Sequence, residues 1–366
     1  MKKFFFIAAI ASAALVSCTK NEVTPVAEQE ITFQAPVLYP TTKATDEVVN
    51  NYPTSNDFAV WAHYVADAEY TNFAEGQLYM NEKVVKYDGT SSWKTDGDQY
   101  YWPKNGSLTF IAYAPSSVAA KAAVGASGIT FSDYVVSNDA TEQVDLLFSE
   151  RAYNKTSVDD ETIKPDVPTS PNAGGIHDPY TGVHISFKHA LSSILFTARL
   201  SEAYSGTKIT LKRIELTNVK SYGNFNQGLA DNGTATTTAD ADLWTGENNA
   251  ITYTVAADEL LNTEKYYTCN DTRVAPVAAD GKRTTDLILL PQVIADDAKM
   301  VITYTIQSPD SIALEQVLDI PLKNVVTEWK WGYRYIYNII IGLDTIYFEP
   351  YVAPWTDYTP DLNPAF

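Results

Sequence analysis

The chain has 366 residues, 45% of them apolar, with 26 basic and 45 acidic side chains and a formal charge of −19. That apolar share excludes a disordered chain, and the length suits about two domains of ~100–200 residues each. The acidic balance argues against a nucleic-acid binder, which needs basic grooves to displace counterions, and against a surface that docks on anionic lipid.

Lys2 and Lys3 precede an apolar run from Phe4 to Val16. The run is too short to span a bilayer and suits a signal h-region. It closes on Leu15-Val-Ser-Cys18, which resembles a bacterial lipobox. On that reading Cys18 is acylated, residues 1–17 are a lipoprotein signal peptide and 18–30 a lipidated tether, so that membrane contact is made only through the lipid. Plain signal-peptidase cleavage is the alternative. Thr19-Lys-Asn-Glu22 is similar to export signals of Bacteroidetes surface lipoproteins. With Cys18 lipidated, Cys269 stands alone, which excludes an intrachain disulfide and a Cys-based zinc site in the mature protein. Cys269 reads as a small buried side chain.

Period-two apolar patterns dominate the rest of the chain. Ile31, Phe33, Ala35 and Val37 fall on one face of a first strand, with Thr32 and Gln34 on the other, and a polar stretch with Lys43 follows. Further strands are expected over 58–65, 107–114, 129–136, 144–148, 186–200, 208–219, 287–294, 300–306 and 333–341. Asn105-Gly106 reads as a tight hairpin turn between Tyr100-Tyr-Trp102 and Leu108-Thr-Phe110. A short Ala-rich helix is expected over 116–124. The Pro- and Gly-rich 154–180 reads as a long connection, and the Thr-, Asn- and Gly-rich 226–249 as a loop. At the C-terminus Ile346, Phe348, Pro350 and Val352 share one face, opposite Tyr347, Glu349 and Tyr351. That is a spare strand, either packed on its own domain or donated to another chain. The pattern predicts an all-β protein of two β-sandwich domains, 31–180 and 181–342, with a C-terminal extension over 343–366.

The sequence nominates no catalytic residue, no metal site and no cofactor. An uninterrupted strand would place His184 and His189 on opposite faces, poor geometry for a shared metal; His63 and His177 have no evident partner. Asp96-Gly97-Asp98 reads as a turn, lacking the spaced oxygens of a calcium loop. Gly125-Ala-Ser-Gly128 lacks the spacing of a nucleophile elbow. Trp93, Tyr100, Tyr101 and Trp102 cluster near one turn, and Trp329 and Trp331 near another. They are candidates for a glycan-stacking platform if exposed, and for core if not.

Four patterns in order carry a resemblance. They are the lipobox leader with Ile31-Thr-Phe33 and Thr42-Lys-Ala-Thr45; Tyr101-Trp-Pro103 with Leu108-Thr-Phe-Ile-Ala-Tyr-Ala-Pro115; Phe187-Lys-His-Ala-Leu-Ser192; and Leu289-Leu-Pro-Gln292 with Trp331-Gly-Tyr-Arg-Tyr-Ile-Tyr337. Together they resemble the fimbrillin, or Mfa-like, family of Bacteroidetes lipoproteins, the type V pilins. The resemblance implies two transthyretin-like β-sandwich domains in tandem after a lipoprotein signal peptide. It implies a structural or adhesive pilus subunit at the outer membrane and cell surface, with no enzymatic activity. Its implied partners are other pilus subunits and a maturation protease, with host or bacterial surface ligands as further candidates. It also implies that a protease cuts after a basic residue, here between Lys43 and Ala44. The cut removes the first strand, 31–43, and a strand from another subunit fills the groove. A surface glycan-binding lipoprotein, or a tip or anchor pilin that does not polymerise, is the alternative.

Overall fold

The computed structural model describes residues 25–38, 50–66, 76–103, 105–155, 182–228, 242–263, 267–268, 286–343 and 346–355. The chain is all-β, with short 3-10 helices as its helical elements among these residues.

One sheet runs in the order Asn50–Asn51, Val37–Leu38, Ser186–His189, Leu147–Ser149, Ser107–Ala114, Asp57–Val65, Gln77–Tyr87 and Trp93–Thr95. Its two central strands have side chains buried on both faces. Phe58, Val60, Ala62 and Tyr64, with Leu108, Phe110, Ala112 and Ala114, face a first core. Ala59 and Trp61, with Ile111 and Tyr113, face a second. The near-continuous apolar runs FAVWA and LTFIAYA are what such a position requires, because neither face meets water.

Two further sheets enclose the second core. One contains Lys208–Asn226, paired with Trp244–Leu260, Lys299–Gln307 and Gly128–Val135, with Leu314–Pro321 at one edge and Ala122–Gly125 at the other. The other contains Ser192–Leu200 between Tyr267–Thr268 and Tyr333–Ile341, with Ile346–Pro354 at its edge. Hydrogen bonding crosses residue 180 in both directions: Gly128–Val135 pairs with Lys208–Asn226, and Ser186–His189 pairs with Leu147–Ser149. Gln227 strengthens one crossing. Its buried side-chain oxygen accepts from Ile129 N at 3.0 Å and its amide donates to Ser149 O at 2.7 Å.

Several local expectations change. Residues 116–121 form a 3-10 helix and Ala122–Gly125 a strand, because Gly128–Val135 takes that backbone as a pairing partner. The strands flanking Asn105-Gly106 do not pair with each other; Tyr101–Pro103 pairs with Pro25–Glu30 instead. Residues 25–30, expected as tether, are therefore a strand that covers an otherwise open edge. Gly106 (φ +79°) is required by proximity, since a Cβ there would lie 2.2 Å from Val65 O. Residues 244–249, expected as loop, begin the long Trp244–Leu260 strand. Its polar side chains hid it, because many of its positions face solvent.

Candidate functional site

Residues 31–38 are bound along both edges. On one side Ile31 N donates to Tyr100 O (2.7 Å), Phe33 N to Trp93 O (2.9 Å) and Trp93 N to Phe33 O (3.3 Å). On the other, Val183 N donates to Thr32 O (2.7 Å) and Gln34 N to Val183 O (3.0 Å). Val37–Leu38 then runs parallel to Ser186–Phe187 and antiparallel to Asn50–Asn51. Tyr52 N closes the run by donating to Pro36 O at 2.8 Å.

The side chains follow the backbone inward. Ile31 is 0% and Phe33 1% exposed. The Phe33 ring meets Phe58 at 5.6 Å and Phe110 at 5.9 Å, both edge-to-face. Beside it, Tyr52 packs on Phe187 and Trp93. Burial, with Asp57 and then Asp145 adding to it, pushes the Tyr52 phenol well above its ordinary pKa. It stays neutral and donates to Asp57 O at 2.6 Å. Together Ile31 and Phe33 contribute roughly 3–6 kcal/mol of burial free energy.

The expected apolar face corrects after Phe33. Ala35 is exposed and Pro36 buried, so strict alternation stops there. Pro36 has no N–H to give a ladder, and at that point the chain passes from the bridges to Trp93 and Val183 onto its pairing with Ser186. Val37 is paired with Ser186 and Asn51. Cys18, Lys43, Ala44, His177 and Cys269 lie outside the described residues.

The C-terminal strand lies on its own sheet. Ile346–Pro354 pairs with Tyr333–Ile341 from Ile341↔Ile346 to Tyr333↔Pro354. Cross-strand neighbours share a face, so Ile346, Phe348, Pro350 and Val352 lie on the side of Ile341, Ile339, Tyr337 and Tyr335, the side of the second core. Ile346 and Phe348 pack against that core, whereas Pro350 and Val352 are exposed. Expectation and structure agree on which face is apolar and differ on how much of it is covered.

Of the two roles open to the clustered tryptophans, stacking platform or core, they take the interior one. Trp93, Trp102, Trp329 and Trp331 are all buried, and Tyr100 and Tyr101 are half-buried. A stacking platform needs exposed rings, so these do not form one. A cleft of about 240 Å³ is lined by Lys220, Trp244, Gln292, Glu328, Trp329 and Lys330 among others. The Gln292 side chain is spent on backbone: it accepts from Lys220 N at 2.9 Å and donates to Lys220 O and Leu290 O at 3.0 Å each. Its role in the Leu-Leu-Pro-Gln pattern is thus to bridge two chain segments. His189 holds Asp145, and His184 meets Ser186 at 3.2 Å. Among the described residues no group of His, Cys, Asp and Glu could hold a metal ion.

Sequence reasoning missed three members of the docked segment's surroundings. Gly182 approaches it backbone to backbone, and Trp93 and Val183 supply its two edges. Residue 182 carries a sequence signal only as a glycine in a Pro- and Gly-rich stretch.

No curated protein matches the sequence. The chain superposes on a fimbrial protein from Bacteroides vulgatus ATCC 8482 with a TM-score of 0.53 at 16% identity, covering 89% of this chain and 100% of that one. The C-terminally truncated tip fimbrial protein Mfa3 from Porphyromonas gingivalis gives 0.30 at 9% identity, over 82% of this chain and 94% of that one. A family model described as fimbrillin-like matches residues 42–355, most of the sequence, and the chain belongs to that family.

Proposed function

We propose that this protein is a non-catalytic structural subunit of a cell-surface pilus, in which a cut after Lys43 makes the segment 31–43, with the seated residues 31–38, removable. One observation carries the reading: Phe33 is hydrogen-bonded to Trp93 while its neighbours Thr32 and Gln34 bond Val183, and its ring fills a pocket of Phe58 and Phe110. Departure of this segment would open two unpaired edges and an apolar trough at once. Such a slot favours an incoming strand, which supplies backbone bonds along its length and side chains into the pockets.

In this reading the chain is exported as a lipoprotein acylated at Cys18 and held at the outer membrane until a protease cuts between Lys43 and Ala44. The slot is then filled by Ile346–Pro354 of another subunit. Sequence spacing supports that donor: Ile31, Phe33 and Val37 recur as Ile346, Phe348 and Val352, and Gln34 as Glu349. Phe348 would take the pocket of Phe33.

The test is limited trypsin treatment of the lipid-free protein. The expected result is a discrete cut after Lys43, followed by ladders on non-denaturing gels, with Lys43→Ala remaining monomeric. A protein cut at Lys43 that never associates would overturn the polymerising role. Mass spectrometry of the mature N-terminus from cells reports lipid at Cys18 or a free Ala44.

A further inference from the structure

The strand Ile346–Pro354 is held unevenly. Along its length it is an edge strand, and beyond Ile346 and Phe348 its side chains are largely exposed: Tyr347 is 56%, Tyr351 53% and Val352 48% exposed. At its end the situation reverses. Trp355 is 2% exposed, and its ring lies on that of His189 with centroids 3.8 Å apart and planes 11° apart. Its backbone N–H donates to Gly332 O at 2.8 Å, and Gly332 N donates to Leu191 O at 2.8 Å.

The seat beneath Trp355 is buried and hydrogen-bonded. The His189 side chain is 1% exposed, with Nδ1 2.9 Å from an Asp145 carboxylate oxygen. His189 ends the Ser186–His189 strand of the sheet shared by the two cores, and Ser192 opens the Ser192–Leu200 strand over the second core. Ser192 Oγ donates to Lys330 O at 2.9 Å, tying the turn at Gly332 to the same place. Trp355 therefore sits where the chain passes from one sheet to the other.

The seat is also imperfect. Among the described residues, neither His189 Nε2 nor Trp355 Nε1 has a hydrogen-bond partner, although both atoms are buried. Water would satisfy both nitrogens if the rings separated, so desolvation opposes the stack while ring contact and burial favour it.

We infer that Trp355 is a releasable latch that keeps Ile346–Pro354 on its own sheet, and that the strand detaches from its C-terminal end when the ring leaves His189. With the latch closed, the edge of Tyr333–Ile341 is capped and the strand is withheld from other chains. The latch rests on the geometry above; its consequence, control of strand donation, rests on the proposed pilus role.

Amide hydrogen exchange on the full chain tests it. Trp355→Ala is expected to speed exchange across 346–354 by about 10- to 100-fold, leaving 192–200 within about two-fold of the parent. His189→Ala should do the same, the double variant should add nothing to either single one, and Trp355→Phe should retain most of the protection. Unchanged exchange in 346–354, or an equal rise throughout both cores, would overturn the latch. Trypsin-cut Trp355→Ala should also form ladders faster than the cut parent. Local release without any association would leave the latch standing and count against the pilus reading alone.

Discussion

Gly182 and Phe33 meet backbone to backbone. A Cβ on Gly182 would lie 2.5 Å from the Phe33 carbonyl carbon and 2.7 Å from Gln34 N, and Gly182 has φ +90°. No L side chain fits there without moving the first segment. Gly182→Ala should destabilise the fold by about 1–3 kcal/mol from backbone strain alone, with displacement of residues 31–34 in addition. Urea unfolding measures the loss, and hydrogen exchange should place the loosening at 31–38 before the rest of the first core.

Phe33 is a core side chain on a segment proposed to leave. Phe33→Ala should cost about 3–5 kcal/mol, the range for truncating a fully buried phenylalanine. Ala35→Ser, at an exposed position of the same segment, should change stability by less than about 0.5 kcal/mol. Denaturation midpoints of the two variants distinguish a seated segment from one that merely passes by.

Arg334 Nε lies 2.7 Å from Asp286 Oδ2, and both side chains are 2% exposed. Ser193 donates to the same carboxylate and accepts from Arg334 Nε at 3.2 Å. Arg334→Met leaves the Asp286 charge buried without its cation and should destabilise by about 3–5 kcal/mol. Arg334→Met combined with Asp286→Leu should recover part of that loss, because no charge is then left in the interior. Thermal or urea unfolding of the single and double variants checks the sign of the difference.

His63 sets an acid limit. Burial, and secondarily the Arg151 guanidinium, lower its pKa from 6.5 to about 4. Above pH 6.5 the imidazole is neutral in both states and contributes no slope. Between pH 6.5 and 4 the unfolded chain binds a proton that the folded chain does not, so lowering the pH through this window costs roughly 3 kcal/mol of stability in total. Below pH 4 this contribution levels off. His63→Leu should flatten that part of the stability profile, measured by urea unfolding at pH 7, 5.5 and 4.

Period-two patterning reveals which residues face inward, and it did so for Ile31, Phe33, Ile346 and Phe348. It does not reveal how many cores a strand serves. The 58–65 and 107–114 segments read as strands, yet only the fold shows that Trp61 and Tyr113 belong to one core and Phe58 and Phe110 to another. Nor does it locate breaks in the pattern. Ala35 faces solvent because pairing partners change at Pro36, an event set by residues 93, 183 and 186. The 244–249 stretch escaped notice because its Asn, Glu and Gly residues lie on a solvent-facing strand, where composition mimics a loop.

By itself the sequence determined the all-β character, the inward positions of Ile31 and Phe33 and the apolar quality of the segment that carries them. Each of these depends on side chains within a few positions of one another. Only the tertiary structure decided that this segment is gripped between Trp93 and Val183, that Gly182 must lack a side chain, and that Trp355 rests on His189. Those relationships join residues about 60 to 170 positions apart. Their register is chosen by whichever long-range pairing satisfies the most backbone groups and buries the most apolar surface, and no local pattern encodes that choice.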